Sequence, residues 1–340
     1  MSTQQDLSLV AVAGLLIIAS GCASTDAIRE LPTLAIQKSQ LTLPGSPPFH
    51  LKATALNPKD SSDRVNSARI EEYWVTPQKW RRTVIAPDFS QLLIVNGSQV
   101  REEMTGDYYP NWLRTLVNAI FDPGAPLKGV DLTQSDDNPV RNTPQFCRRF
   151  ATAVGIAPIS NDVFSTYCFK AGLLDGVNLP GYVANYKDYA PFSGKQVART
   201  IQEYLDRDLR PEARITELSA LSAPDESLFA ITETHDPLQT IFVPEHEALG
   251  QGVDMPPMVW PKVEEGRLSG LASIYVCIDR SGRVRETRTL NNDHPDIAQA
   301  ARAQVMRWKF RPFMAAGVPV QAETILTFAY STVLESPRAP

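Results

Sequence analysis

Apolar and polar residues alternate along much of the first two thirds of the chain, which is the pattern of half-buried β-strands. The first clear run is Phe49 to Ala55, in which every second residue is apolar. Similar patterns predict strands over residues 68–75, 79–86, 89–95, 98–104, 145–150, 167–171 and 183–189, and shorter strands around Val197, Ile215, Leu218, Leu228 and Ile231. Asn96-Gly97 lies between two of these runs and predicts a hairpin, because both residues tolerate positive φ.

One helix interrupts the strands. Its apolar positions recur at helical spacing and are Leu113, Leu116, Val117, Ile120 and Phe121. Pro110 can begin this helix, since the first helical turn leaves backbone N–H groups unpaired in any case. Asp122-Pro123-Gly124 ends it. Residues 41–234 are therefore predicted to form a curved antiparallel sheet or open barrel with a helix.

The carboxyl-terminal part shows a sharper pattern. Ala272 to Ile278 alternate as a strand, Asp279-Arg280-Ser281-Gly282 forms a turn, and residues 283–290 form the return strand. A helix is predicted from Pro295, with Ile297, Ala301, Val305 and Trp308 on one face. Val320 to Tyr330 alternate as a closing strand. The order strand, strand, helix, strand predicts a small α+β unit, so the fold class of the whole chain is α+β.

The amino terminus carries an apolar run, Leu7 to Ser20, that is too short to span a bilayer as a helix and suits a signal peptide. It ends at Ala19-Ser20-Gly21-Cys22, which resembles a bacterial lipoprotein signal, in which Cys22 is lipidated after cleavage. The first residues carry no Lys or Arg, although signal peptides begin with basic residues. Three forms remain open: a lipoprotein, a cleaved soluble protein and an uncleaved inner-membrane anchor.

Export places the chain in the periplasm, anchored to a membrane in two of these three forms. Ala23 after Cys22 resembles outer-membrane lipoproteins, which lack the Asp that retains a lipoprotein at the inner membrane. Cys147 and Cys168 are separated by a stretch that contains Gly155 and Pro158, residues that can reverse the chain. In an oxidising compartment these two cysteines are predicted to form a disulfide, with two buried thiols as the alternative.

Charge and motif content exclude several functions. The net charge of −5 and the lack of a Lys or Arg cluster argue against nucleic acid as a partner. No G-x-S-x-G elbow, P-loop or G-x-G-x-x-G motif is present. His246-Glu247 resembles the start of a zinc-binding H-E-x-x-H motif, but Gly250 stands where the second histidine is required. We therefore predict that the protein is not an enzyme and needs no cofactor or metal.

Residues 253–331 closely resemble the TonB C-terminal domain family. The resemblance lies in Trp260-Pro261, in the turn from Asp279 to Val284, in the helix end from Met306 to Pro312, in Gly317-Val318-Pro319-Val320 and in the closing strand. The family has Tyr-Pro where this chain has Trp260-Pro261. The resemblance implies docking by β-augmentation, in which a strand edge pairs with an extended segment of an outer-membrane TonB-dependent receptor. The residues it assigns to the partner-binding strand are Gln321, Glu323, Ile325 and Thr327.

This resemblance implies a non-enzymatic envelope protein that acts in transport by docking to an outer-membrane receptor or another envelope protein. Two features of an energy transducer are not found: a membrane-spanning helix with Ser and His that engages the proton-driven motor, and a long Pro-rich spacer. The alternative is a structural envelope lipoprotein whose closing strand is paired within its own domain or in a dimer, without energy coupling.

The first domain resembles the LolA/LolB lipoprotein-carrier superfamily, through the segment Pro48 to Ala53, the strand at Trp80-Arg81, the Asn96-Gly97 hairpin and the helix after it. This resemblance implies a lipid cavity or a carrier function, with Phe49, Trp74, Trp80 and Trp112 as candidate lining residues and an ordinary core as the alternative. The predicted organisation is a signal peptide with lipobox at 1–22, a linker at 23–40, a LolA-like domain at 41–234, a linker at 235–252 and a TonB C-terminal domain at 253–340. The first linker can contain a short helix around Ala27 to Ser39.

Overall fold

The computed structural model describes residues 25–57, 67–124, 135–139, 145–151, 164–179, 182–204, 210–232, 240–261 and 267–333. Within these ranges, no helix has the length and apolar character needed to cross a membrane. The apolar run Leu7 to Ser20 and the predicted lipidation site Cys22 lie outside the described residues. The described chain forms a large antiparallel sheet and a smaller α+β unit that follows it.

The large sheet has twelve antiparallel strands. In chain order they are β1 (Phe49–Leu56), β2 (Ser67–Thr76), β3 (Lys79–Ala86), β4 (Phe89–Asn96), β5 (Gln99–Thr105), β6 (Ser135–Pro139), β7 (Gln145–Ala151), β8 (Phe164–Lys170), β9 (Leu173–Leu179), β10 (Tyr182–Phe192), β11 (Lys195–Tyr204) and β12 (Glu212–Ala220). Their spatial order is β5-β4-β3-β2-β1-β12-β11-β10-β9-β8-β7-β6, so β1 and β12 meet in the middle. The large antiparallel sheet predicted from the alternating pattern is thus confirmed.

Alternation along β1 determines which side of the sheet is buried. Its apolar residues at odd positions are buried, and its even positions face outward. Phe49 pairs with Trp74 of β2, and their rings stack with centroids 5.4 Å apart. At the predicted hairpin, Gly97 has a φ of +66°, which a side chain would disfavour.

Two helices pack against this sheet: α1 (Thr25–Ser39), on one side through Ala35, and α2 (Asn111–Phe121). Trp112, Leu113 and Leu116 of α2 are almost fully buried. A single core cluster joins these helices to β4 and to β8, which lie near opposite ends of the sheet order. The sheet therefore curves around α2.

The carboxyl-terminal unit contains a second sheet. Its elements are β13 (Ile241–Phe242), α3 (Glu245–Gly250), β14 (Gly252–Asp254), β15 (Arg267–Ile278), β16 (Val284–Asn292), α4 (Pro295–Val305), β17 (Lys309–Phe310), β18 (Phe313–Ala315), β19 (Val318–Val320) and β20 (Ala322–Val333). The sheet order is β13-β20-β15-β16. Ile297, Ala301 and Val305 of α4 are fully buried and share a core with Ile274 and Leu326 of the sheet.

Two segments expected to be linkers contain packed elements. Between residues 23 and 40, α1 buries Ala35 in the core of the large sheet. Between residues 235 and 252, β13 and α3 bury Val243 and Ala248 in the core of the second sheet. The helix α1 lies where the sequence allows a short helix, at Ala27 to Ser39, whereas the second segment lacks clean periodicity, so tertiary contacts rather than local pattern determine its structure.

The predicted short strands at Leu228 and Ile231 are absent from the described structure, where residues Glu226–Phe229 form a 3₁₀ turn. The side chain of Asp225 accepts a hydrogen bond from the Ser227 amide at 2.9 Å and begins this turn. Phe229 is fully buried and anchors it.

The predicted disulfide is present. Cys147 of β7 and Cys168 of β8 stand directly opposite each other in the strand register, with Cα atoms 4.0 Å apart. Cys277, the free cysteine of the described residues, is buried on β15.

Candidate functional site

β20, which contains most of the predicted docking strand, is bordered differently on its two sides. On one side it pairs with β15 along its whole length, from Ala322 to Val333. On the other side, among the described residues, only Ala322 and Glu323 pair with a strand, β13. Backbone groups of successive residues point to opposite sides of a strand, so the odd-numbered residues of β20 present their N–H and C=O groups to this second side, the outer edge.

A short segment of the chain covers the beginning of the outer edge. The amide of Ile241 donates to the carbonyl of Gln321 at 3.0 Å, and the amide of Val243 donates to the carbonyl of Glu323 at 2.8 Å. The segment runs parallel to β20. Pro244, which has no N–H group, then ends the strand and precedes α3.

The carboxylate of Glu245 continues this cover. Its Oε1 accepts a hydrogen bond from the Thr327 amide at 2.8 Å, on the same outer edge. A side chain thus occupies the place that a carbonyl group of an added strand would take. We call Ile241 to Glu245 the edge-covering segment.

Gln321, the first predicted docking residue, contacts the large sheet's domain. Its side-chain amide accepts from the Tyr109 backbone N–H at 2.9 Å and donates to the Tyr109 carbonyl at 3.2 Å. The same Nε2 group lies 3.2 Å from the sulfur of Cys277. Gln321 is only 5% exposed, so this side chain forms an interdomain bond instead of a free recognition surface.

Glu323, the second predicted docking residue, forms an ion pair with Arg114 of α2. Arg114 also donates to the Asn111 side chain at 2.8 Å. Burial acts to lower the pKa of Arg114, but the charge of Glu323 and weaker interactions with Tyr275, Cys277 and Tyr108 together outweigh it, so the net pKa is raised. The charge of this half-buried pair is therefore matched across the domain boundary.

The second domain also caps α2. Glu286 of β16 accepts a hydrogen bond from the Asn111 backbone N–H at 2.8 Å, at the positively polarised end of the helix, and another from the Tyr108 hydroxyl. Burial raises the pKa of the Tyr108 hydroxyl and of the neighbouring Cys277 thiol well above their usual values. Both groups therefore stay neutral in this interface.

Ile325 and Thr327, the remaining predicted docking residues, lie beyond these interdomain contacts. Ile325 is half-buried, and Thr327 is exposed. The backbone groups of Ile325, Thr327, Ala329 and Ser331 face the outer edge. Such a row of donors and acceptors can accept an added strand, which is a physical basis for binding an extended peptide.

The candidate lipid-lining residues lie in or against a packed core. Phe49, Trp74 and Trp112 are at most 2% exposed and belong to one apolar cluster. Trp80 is half-buried beside the guanidinium of Arg82, whose carbon lies 5.0 Å from the ring centre. A cleft of about 390 Å³ lies elsewhere, at the end of β1 to β3, and its lining includes Leu56, Arg69 and Ile85.

Sequence reasoning missed the edge-covering segment and the interdomain contacts. Ile241-Phe242-Val243 is a short β-prone run, but it lies within the predicted linker at 235–252, a stretch rich in Asp, Pro and Glu. Its isolated apolar triplet was the available signal. The pairing of Tyr109 with Gln321 has no such signal, because these residues are 212 positions apart.

Comparisons with known proteins give matches among protein families and among solved structures. No curated protein matches the chain. Solved structures resemble its amino-terminal part. One is an outer membrane lipoprotein-sorting protein domain from Vibrio parahaemolyticus, with 10% identity and a TM-score of 0.36, and the match covers 59% of this chain and 95% of that one. Another is a DUF1329 family protein from Desulfovibrio piger, with 9% identity and a TM-score of 0.40, and the match covers 60% of this chain and 96% of that one. A third is a LolA superfamily protein from Nitrosomonas europaea, with 9% identity and a TM-score of 0.34, and the match covers 59% of this chain and 97% of that one. Residues 259–332 match the family described as the Gram-negative bacterial TonB protein C-terminal, so the carboxyl-terminal unit of this chain carries a TonB C-terminal domain.

Proposed function

We propose that this protein is a non-enzymatic cell-envelope protein that binds an extended segment of an outer-membrane receptor, or of another envelope protein, along the outer edge of β20. Its TonB C-terminal domain indicates a cell-envelope protein. The observation that carries the proposal is the asymmetry of β20. The strand is paired throughout on the β15 side, and among the described residues it is paired with a strand only at Ala322 and Glu323 on the other side.

Strand addition at this edge is physically reasonable. An extended segment would gain main-chain hydrogen bonds from the odd-numbered residues of β20 without any change in the β15 pairing. Thr327, Ala329 and Ser331 are exposed, so an added strand can approach them. Gln321 and Glu323 act differently in this proposal: their side chains hold β20 against α2 and fix the position of the edge.

The first domain serves as a rigid support in this proposal. Its helix α2 is capped by Glu286 and bound through Arg114 to Glu323. The aromatic residues that could have lined a lipid cavity are used for packing, which favours support over lipid carriage.

Membrane attachment through a lipid on Cys22 completes the proposal. It is tested by the intact mass of the protein extracted from its native membrane. A chain that begins at Cys22 and carries a diacylglycerol is expected. A chain that begins at Met1 would instead establish an uncleaved anchor.

Docking is tested with synthetic peptides copied from the amino-terminal extended segments of outer-membrane receptors of the source bacterium. Binding to the full chain is measured by calorimetry, and protection of residues 323–333 is measured by hydrogen exchange. Ala329→Pro removes one outer-edge N–H group, at a position where an edge strand tolerates proline. We expect Ala329→Pro to weaken peptide binding about tenfold, because the added strand loses one main-chain hydrogen bond to β20.

Ala329→Val is the matched control, since it adds a larger side chain and keeps the N–H group. It is expected to bind as the wild-type protein does. Equal binding by Ala329→Pro, or peptide binding that leaves residues 323–333 unprotected, would show that the outer edge is not the docking site.

A further inference from the structure

The edge-covering segment shows what kind of chain the outer edge of β20 accepts. Ile241 and Val243 donate their amides to β20, and the side chains at these two positions pack toward the domain core, with Val243 only 5% exposed. Phe242, between them, is 51% exposed. Alternate side chains of the segment thus face the domain, as in a bound strand whose every second side chain enters a pocket of its partner.

The acidic residue two positions after Val243 has a separate role. The Glu245 carboxylate accepts a hydrogen bond from the Thr327 amide at 2.8 Å, beyond the point where Pro244 ends main-chain pairing. A carboxylate is a stronger acceptor for an N–H group than a neutral carbonyl. An acidic residue at the fifth position of the segment therefore suits the Thr327 amide.

We infer that the edge-covering segment is an internal competitor, and that the partner is an extended segment running parallel to β20 with the pattern apolar, any residue, apolar, any residue, acidic. This inference rests on the proposed docking function, because it names the chemistry of the partner at the same edge. In this register the partner takes the carbonyls of Gln321 and Glu323 and the amide of Thr327, which the segment occupies, and then continues along Ala329, so the partner and the segment exclude each other.

The competition predicts that releasing the segment strengthens binding. A protein whose site is mostly occupied by its own chain binds a partner with an affinity reduced by the fraction of time that the site is open. Val243→Pro removes the N–H group that donates to Glu323 and should release the segment. Phe242→Pro is the matched control, because the Phe242 N–H group points away from β20.

The probe is a synthetic peptide with the sequence of residues 240–246, Thr-Ile-Phe-Val-Pro-Glu-His, added to the full chain. We expect it to bind Val243→Pro at least about tenfold more tightly than the wild-type protein or Phe242→Pro, and to restore slow hydrogen exchange in β20. A peptide with Asp in place of Val should lose this binding, whereas one with Asp in place of Phe should keep it. Equal affinity for all three proteins, or equal binding by the two altered peptides, would overturn the inference.

Glu245→Ala gives a second, milder route, because it leaves the buried residues of the segment in place. It should expose the Thr327 amide and increase peptide affinity about threefold or more, and an unchanged affinity would count against the inference even if Val243→Pro does not fold. Failure of the proposed function can be distinguished from failure of this inference. If the 240–246 peptide binds and receptor segments do not, receptor docking is wrong and the competitor stands; if receptor segments bind all variants equally, docking stands and the competitor is wrong.

Discussion

The side-chain amide of Gln321 pairs with both backbone groups of Tyr109, a residue of the other domain, as one strand pairs with another. This contact sets the β20 strand against the amino-terminal end of α2. It lies beside the Arg114–Glu323 pair and the Glu286 cap, so three polar contacts join the domains within one small buried area. The position of the proposed docking edge therefore depends on the first domain.

Replacement of Gln321 by alanine should destabilise the whole chain. It would leave the buried N–H and C=O groups of Tyr109 without these partners, at a cost of about 2 kcal/mol in the free energy of unfolding. Urea unfolding measures this change. Gln196→Ala, at an exposed position of β11, is the control and should change stability little. Equal effects of the two substitutions would show that the Gln321 contact contributes nothing.

The Arg114–Glu323 ion pair should couple the two domains energetically. Both side chains are less than one third exposed, at 26% and 15%. In a double-mutant cycle with Arg114→Met and Glu323→Gln, we expect a coupling energy of about 2 kcal/mol, because each single change leaves one half-buried charged or polar group unmatched. The exposed pair Lys52–Glu217, with its atoms 2.9 Å apart, is the comparison and should show little coupling. A coupling energy of zero between Arg114 and Glu323 would contradict the prediction.

The sequence was sufficient to predict elements whose side-chain pattern is strong. The alternation from Phe49 to Ala55 and the helical spacing from Leu113 to Phe121 lie in a strand and a helix that the structure contains. Asn96-Gly97 also indicated the hairpin, but its turn lies one position later, at Gly97-Ser98, because Asn96 still pairs with Gln99 in the strand register. Patterns of this kind arise from burial of one face, so they can be read without knowledge of neighbours.

Features that depend on distant neighbours could not be predicted in this way. β13 consists of two residues, and it exists because the chain returns to β20 at the positions of Gln321 and Glu323. Glu245 reads as a surface carboxylate until the Thr327 amide is placed next to it. The assignment of Gln321 and Glu323 to docking came from family resemblance, and the interdomain use of their side chains is specific to how these two domains pack.

Glu203 should make stability depend on pH. This residue of β11 is fully buried, and burial raises the pKa of its carboxyl to about 8, against hydrogen bonds from Thr115 and Tyr182 and the charge of Arg288, which lower it. The folded protein therefore holds a proton that the unfolded chain, with a carboxyl pKa of 4.5, releases. The stabilisation is fully present below pH 4.5 and is lost as the pH rises toward about 8.

The size of this effect is on the order of 3 kcal/mol between pH 4.5 and pH 7, since one pKa unit corresponds to about 1.4 kcal/mol. Glu203→Gln should remove this slope when unfolding is measured across the range. Thr115→Val, which deletes the hydroxyl that donates to Glu203 at 2.7 Å, should raise the pKa further and extend the loss to higher pH. An unchanged pH slope in Glu203→Gln would exclude Glu203 as its source.

Reduction of the Cys147–Cys168 disulfide should loosen the first domain. The bond closes a loop between residues that are 21 positions apart, and in the chain-entropy model such a loop contributes about 3 kcal/mol to stability. Urea unfolding with and without a reductant measures the difference. The double variant Cys147→Ala/Cys168→Ala should have the stability of the reduced protein and no response to reductant. Cys277→Ala keeps the disulfide and should respond as the wild-type protein does. If reductant lowers the stability of the double variant as much as that of the wild-type protein, the effect does not come from this bond.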